Sequence, residues 1–406
     1  MKNKPAEIDL PLKGIRIIDL ATFVAAPFAA SILSEFGADV IKVEDPKSGD
    51  SLRKFGTPTP RGDGLTWLTE ARNKRSITLN LRDPEGQKIF IDLAESADIV
   101  CENFRPGTLE KWNIGWDILH KLNPQLILLR VSGYGQTGPY KDRPAFARIA
   151  HAFGALSYLT GMPGGPPLTP GSTSLADYIS GLYGAVGILL ALRARDSSGN
   201  GQMIDIALFE SVFRVLDEIA TAYSWNGTVR PRLGVHTSNA CPHGHFETAD
   251  NEWISIACTN DKMFARFAEV MGCPDLSSPN QFGNYLTRIK HADEVNAIVS
   301  KWFKELNRAD ALEKCLKGSV PAAPVNSIAD IFQDQHYKER GTIIGIYEPT
   351  LDEEIMVPAP LPRLSSTPGK IKNLGPTLGN ANDEIYGGEL KMEADQIIDL
   401  KRRGII

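Results

Sequence analysis

Basic excess, paired cysteines and long apolar runs are all scarce in this 406-residue chain. Lys and Arg number 44 against 49 Asp and Glu, a formal net charge of −5. Without a cationic surplus to neutralise phosphate backbones, a nucleic-acid partner is not expected. The five cysteines, Cys101, Cys241, Cys258, Cys273 and Cys315, stand far apart with no CxxC pair. That pattern offers neither a disulfide framework nor a thiolate metal site and fits a reducing compartment. The opening stretch MKNKPAEIDL lacks the apolar core of a signal peptide. The longest apolar helical stretch, Leu182 to Leu192, is too short and glycine-rich to span a bilayer. A cytoplasmic protein with no membrane partner is expected. Neither GxSxG nor a P-loop occurs, so a hydrolase elbow is unsupported and a Walker-type phosphate cradle is missing.

What is present is ordinary globular composition, 42% hydrophobic and 23% charged, enough for a large core. The length points to two domains. Ile15–Leu20, Asp39–Val43, Ser76–Leu81, Ala97–Cys101, Leu126–Val131 and Met203–Leu208 read as strands. Helical stretches separate them, among them Phe23–Phe36, Pro84–Ala94 and Leu175–Arg195. Strands alternating with helices predict an α/β fold with a parallel sheet. Beyond residue 225 the character changes. Residues 226–245 are rich in Gly, Pro, His and Asn and read as a linker or active-site loop, Phe246–Met271 as a hairpin and helix, and 285–345 as a small α/β domain. The expected division is 1–225 for the large domain, 226–345 for linker and small domain, and 346–406 for a proline-rich segment returning to the large one.

Several motifs carry competing readings. Gly133, Gly135 and Gly138 form GxGxxG after the strand LILLRV, but Pro139 and Pro144 follow instead of a helix start. Dinucleotide binding is therefore disfavoured. His236, Cys241, His243 and His245 include an HxH without a second half of matching ligands, so no metal is expected. Basic residues gather at Arg72, Lys74 and Arg75, then at Arg105 and Lys111, near strand ends where α/β sheets bind ligands. The segment GSTSLADYISGLYGAVGILLALRAR is the most informative. Ser172, Thr173 or Ser174 can cap it. Asp177 falls in the first turn, where the helix dipole favours a carboxylate. Asp177, Gly181, Gly184 and Ile188 share one face, and the glycines permit close approach of a backbone or ligand. Such an Asp is either a nucleophile or a plain dipole partner.

In their order along the chain, these segments resemble the class III CoA-transferases, the formyl-CoA transferase and CaiB/BaiF-like family. GIRIIDLATFVAAPFAASILSEFGADVIKVE, NKRSITLNL, ENFRPGTLEKWNIGW, VSGYGQTGPYKDRPAF, LADYISGLYGAVGILLALRAR and GNGQMIDIALFES carry the likeness across nearly the whole chain. The resemblance implies a Rossmann-like large domain, a smaller α/β domain and two interlocked subunits, identical or homologous. It makes Asp177 the nucleophilic aspartate. It sets Phe23, Val24 and Ala25 beside the pantetheine and thioester, with Asn103, Phe104, Arg105 and Lys111 at the nucleotide end and Lys74 and Arg75 nearby. The loop Thr237–His245, with His243, corresponds to the family's flexible loop over the active site, and it is not the glycine-only version of formyl-CoA transferase. The coenzyme A thioester is a substrate, and no other cofactor is implied.

The implied branch uses dicarboxylates, with succinyl-CoA as donor and L-malate as the first acceptor to try. A second charged carboxylate needs a partner when buried. Arg148 and His151, three residues apart on one helical face, could grip it; alternatively Arg148 pairs with an acidic neighbour and His151 is a satisfied core residue. Two rivals remain. The racemases of this fold use a histidine where this chain has Phe146, so proton abstraction lacks its base. A non-catalytic CoA-ester-binding subunit of a hetero-oligomer would not need Asp177.

Overall fold

The computed structural model describes residues 9–171 and 174–406. They divide into two compact units. The first comprises the chain to Leu156, Thr169–Glu218 and Gly341–Ile406; the second comprises Ser157–Leu168 and Ile219–Arg340. The expected boundaries at 225 and 345 therefore shift. Residues 157–168 join the second unit because they are tied to its 230s: Gly234 N–H donates to Gly161 O at 3.0 Å and Arg232 to Tyr158 O at 2.9 Å. Residues 341–345 join the first because Ile343–Glu348 pairs antiparallel with Glu353–Pro358.

The first unit is built on six parallel strands: β1 (Arg16–Asp19), β2 (Asp39–Glu44), β3 (Lys74–Thr78), β4 (Ile99–Glu102), β5 (Ile127–Ser132) and β6 (Met203–Ala207). Their order is β3-β2-β1-β4-β5-β6. Strands β4 and β5 are buried at every position, as the unalternating run ILLRV predicts for a strand covered on both faces. The helices are α1 (Ala25–Glu35), α2 (Leu65–Glu70), α3 (Pro84–Glu95), α4 (Thr108–Lys111), α5 (Trp116–Leu122), α6 (Ala147–Phe153), α8 (Leu175–Ser198) and α9 (Leu208–Phe213), while the single turn α7 (Leu156–Leu159) passes into the second unit after its first residue. One core packs α1, α6, α8 and α9 on one face of the sheet. The other packs α3 and α5 with Tyr386 and Leu400 of the returning C-terminal segment. β3 begins two residues earlier than the pattern suggested, and α1 two residues later. Since parallel strands change direction of crossover between β1 and β4, a ligand crevice is expected at the carboxyl ends of those two strands.

By length and composition α8 is apolar enough to cross a membrane, yet it is the helix that α1 packs against. Gly181 makes that possible: a Cβ there would lie 2.6 Å from Ala25 O and 2.9 Å from the Phe28 ring. At Gly184 a Cβ would meet Leu129 of β5 at 3.0 Å and Ala29 at 3.2 Å. The glycine stripe thus receives α1 and the Leu129 side chain of β5 rather than a ligand.

The second unit holds α10 (Ile219–Asn226), an antiparallel sheet of β7 (His243–Glu247), β8 (Trp253–Ala257) and β9 (Ala322–Pro324), and the helices α11 (Asp261–Val270), α12 (Tyr285–Lys290), α13 (Ala292–Lys304), α14 (Arg308–Lys317), α15 (Ile328–Gln333) and α16 (Gln335–Glu339). Phe246, Phe264, Phe267 and Phe303 centre its core.

Gly181→Ala should therefore destabilise the protein by roughly 1–3 kcal/mol, the usual scale for overpacking, although Ala is the better helix former. Denaturant unfolding would measure this, and a neutral or stabilised variant would contradict the close packing.

Candidate active site

The crevice between β1 and β4 opens on an unusual turn. After β1 the chain reaches Phe23, whose φ of +61° is left-handed. For a bulky residue this costs on the order of 1–3 kcal/mol and must be held by its surroundings. Phe23 N–H donates to Asp50 Oδ1 at 3.1 Å. The preceding residue is clamped by a carboxamide: Thr22 N–H donates to Asn103 Oδ1 at 2.8 Å, and Asn103 Nδ2 donates to Thr22 O at 2.6 Å. Asn103 follows β4, so its side chain joins the two strand ends across the crevice. The Phe23 ring meets Phe55 and Phe146 edge-on at 6.3 and 6.1 Å.

Beside this turn lies a recess of about 450 Å³, its open mouth included. Thr22, Phe23, Val24, Ala25, Asn103 and Asp177 line it, together with Ser132, Gly133 and Phe146. The first turn of α8 delivers Asp177, and that turn is anchored on both sides. Ser174 at the N-cap makes no side-chain cap bond. Instead Ala176 N–H donates to His151 Nε2 of α6 at 3.0 Å. Tyr178 donates its hydroxyl to Glu70 Oε1 at 3.2 Å and sets its ring edge-on to Phe28. The Asp177 carboxylate itself has no hydrogen-bond partner among the described residues. Burial pushes its carboxyl up to about 7, so near neutrality it is part acid, part carboxylate. A partly dehydrated, uncommitted carboxylate at a helix N-terminus is a competent nucleophile.

The recess brings together Asp177, Phe23, Val24, Ala25 and Asn103, and a neighbouring recess that shares its wall adds Phe104 and Arg105. The other expectations need correction. Lys74 is buried, with Nζ on Asp19 Oδ2 at 2.9 Å and Pro27 O at 2.8 Å, so it is spent inside the core. Arg75 binds Asp39 through two nitrogens and also meets Glu384 and Glu389. Both residues begin β3, whereas the crevice lies where strands end. Lys111 is exposed at the end of α4 and lines neither recess. His151 is fully buried, and its accepting Nε2 requires the neutral ring; burial and then Arg148 hold its pKa below the ordinary value. It is a positioning residue for α8, not a ligand for substrate. Arg148 is exposed on the first turn of α6 without an ion pair among the described residues. His243 belongs to the second unit, in β7 opposite Ala257. The capping expectations for Ser172 and Thr173 lie outside the described residues. The GxGxxG stretch is a loop, and α6 begins only at Ala147. No three His, Cys, Asp or Glu side chains converge as a metal site among the described residues.

Sequence reasoning missed Lys141 and Arg143, which stand with Arg105 around the second recess and form no ion pair among the described residues. Arg143 lies over the Tyr140 ring at 3.5 Å. Their signal was the KDR run after GPY. It also missed a third recess beyond the carboxyl ends of β1, β2 and β3, walled by Leu20, Leu79, Leu81, Phe104 and Trp112 with Arg82 at its edge.

Two outcomes follow for the first turn of α8. A carboxyl raised from 3.8 to about 7 by burial favours the folded state while protonated. That stability is fully present below about pH 4 and is lost as pH rises through 7. Asp177→Asn should therefore raise the thermal midpoint most at pH 8, by up to a few kcal/mol in stability, and progressively less toward pH 4. A pH-independent difference would contradict the burial. His151→Leu should cost about 1 kcal/mol in stability through the lost cap and lower kcat several-fold, with His151→Gln, which keeps an acceptor, recovering most of both. Equal behaviour of Leu and Gln would remove the positioning role.

Comparison with known proteins identifies the family. Residues 12–382 match the model of CoA-transferase family III. The chain is 56% identical over 398 residues to the beta subunit of succinyl-CoA–L-malate CoA-transferase from Chloroflexus aurantiacus, covering 98% of each. It is 39% identical to succinyl-CoA–D-citramalate CoA-transferase of the same organism, again over 98% of each chain. Among solved structures it resembles a CaiB/BaiF family protein from Brucella suis, with TM-score 0.82, 32% identity and coverage of 94% of this chain and 99% of that one. With an aspartate poised in the sheet crevice and family likeness across nearly its whole length, the chain belongs to CoA-transferase family III and is a CoA-transferase.

Proposed function

We propose that this enzyme transfers coenzyme A from succinyl-CoA to a dicarboxylic acid, L-malate first, with Asp177 as the covalent nucleophile. The observation that carries the mechanism is the uncommitted, partly buried Asp177 carboxylate in the recess beside Phe23. Its oxygen attacks the donor thioester carbonyl and CoA thiolate leaves, giving an aspartyl–acyl anhydride. The thiolate attacks the aspartyl carbonyl and releases succinate. The acceptor carboxylate then attacks the aspartyl-CoA thioester, and the returning thiolate takes the new acyl group, restoring Asp177. One hard exchange becomes several easier ones. The chemistry calls for no metal or redox group.

The substrate pair rests on the relatives, named for succinyl-CoA with L-malate or D-citramalate. The cations Arg105, Lys141 and Arg143, without an ion pair among the described residues, suit the phosphates of CoA. The recess lined by Leu79, Leu81 and Trp112, with the polar side chains of Asp45, Ser48 and Arg82 among its lining, suits a nucleotide base. Arg148 is the candidate grip for the second carboxylate. Phe146 in place of a basic side chain weighs against racemisation. The exposed apolar stripe of Leu182, Val186, Leu189 and Leu190 on α8 supports an assembly with a second chain. Since relatives are named as alpha and beta subunits, that chain is a second copy or a homologue.

Incubated with succinyl-CoA, wild type should gain a CoA-sized mass on the peptide carrying Asp177. Asp177→Ala should lose the adduct and on the order of 10⁴ or more in rate. An Ala variant of full activity would sink the mechanism. Arg148→Met should raise KM for dicarboxylates far more than for monocarboxylates; an unchanged preference would remove Arg148 from substrate recognition while leaving the transfer chemistry intact.

A further inference from the structure

The last residue of β5 is Ser132, whose Cα stands opposite Ala207 of β6. It is 8% exposed, and its Oγ is buried without a hydrogen-bond partner among the described residues. Buried hydroxyls are nearly always paired, because an unpaired one keeps the full cost of leaving water. Ser132 also occupies a particular place. It lines the recess that holds Asp177 and, on the shared wall, the recess ringed by Arg105, Lys141 and Arg143. The amide side chain of the Asp177 recess, Asn103, has both ends of its carboxamide on Thr22.

We infer that Ser132 is a catalytic residue whose hydroxyl donates a hydrogen bond to the acyl oxygen as negative charge develops on it. The inference rests on the Asp177 mechanism proposed above. When a carboxylate oxygen of Asp177 bonds to the thioester carbon, the carbonyl π pair moves onto the acyl oxygen. Ser132 Oγ–H stabilises that oxyanion without giving up its proton. When the C–S bond breaks, the thiolate takes that bonding pair, the oxygen pair re-forms the carbonyl and the hydrogen bond slackens. The same donor serves each later addition, since every one raises an oxyanion in the same recess. Ser132 is not itself the nucleophile: His151, the buried histidine nearest α8's first turn, has Nε2 occupied by Ala176 N–H and is unavailable as its base. Leaving the hydroxyl unpaired in the free enzyme keeps the donor available for the oxyanion alone, the arrangement that favours the transition state over the ground state.

The test is Ser132→Ala in the full-length protein, with steady-state kinetics, succinyl-CoA adduct formation and thermal melting measured together. The expected result is a kcat lowered about 100-fold, a KM for succinyl-CoA within about threefold of wild type, slower adduct formation at Asp177 and a melting temperature equal to or above wild type. That last reading separates catalysis from structure, because deleting an unpaired buried hydroxyl removes no native bond. Unchanged kcat, a raised KM at unchanged kcat, or an activity loss that tracks a lowered melting temperature would each overturn the role. If wild type forms no adduct with succinyl-CoA or other acyl-CoA esters, the Asp177 mechanism fails and Ser132 with it. If wild type forms the adduct and Ser132→Ala matches it, the Ser132 role fails alone.

Discussion

A group of buried charges under the β1–α1 turn is the constraint on which the site depends. Lys74 Nζ lies 2.9 Å from Asp19, and Lys42 Nζ lies 3.1 Å from Asp50 and 3.9 Å from Asp19. All four side chains are essentially out of solvent. Such a cluster is weak evidence for stability, since desolvation takes back most of the Coulomb gain. Its value here is positional. Lys42 also donates to Ala21 O, Lys74 to Pro27 O, and Asp50 accepts from the N–H of Phe23 and of Leu52. Four backbone groups, three of them within residues 21–27, are thereby fixed to charges that cannot move without being left unpaired, a loss of about 3–5 kcal/mol. That is enough to hold Phe23 left-handed against its own strain.

From that turn the order passes to Asp177 through packing. Ala25 follows Phe23 by two residues, and its carbonyl is the atom against which Gly181 lies. A position held at Phe23 is therefore held at α8 to within the tolerance of a close backbone contact. His151 and Glu70 then fix Ala176 and Tyr178, so the carboxylate between them is oriented without being touched. Direct bonds to the carboxylate would have stabilised its anion and lowered its reactivity; anchoring the neighbours avoids this.

The strands were legible because buried parallel strands are continuous apolar runs, and LILLRV could be nothing else. Asp177 was legible as a candidate because helix starts and small-residue faces are local patterns. The turn at Phe23 was not: the helix is read as starting at Phe23 itself, and only the tertiary bonds of Phe23 to Asp50 and of Thr22 to Asn103, 27 and 81 residues away, reveal the turn there. Lys74 and Arg75 were misassigned for a related reason. Basic residues in sequence carry no mark of which end of a strand they occupy, and at the start of β3 they meet Asp19 and Asp39 instead of a ligand.

The same distinction separates structural from functional groups across the first unit. Asn103, Asp50, Lys74 and Arg75 are polar, near the crevice and committed to the protein, and His151 is committed through its Nε2. Asp177, Ser132, Arg105, Lys141 and Arg143 are polar and line the recesses, and their side chains form no hydrogen bond or ion pair among the described residues. A folded chain normally spends its buried polar groups on itself, since leaving them unpaired costs stability. A recess in which one wall is over-determined and the other left open is what remains when the unmet bonds are completed by a substrate.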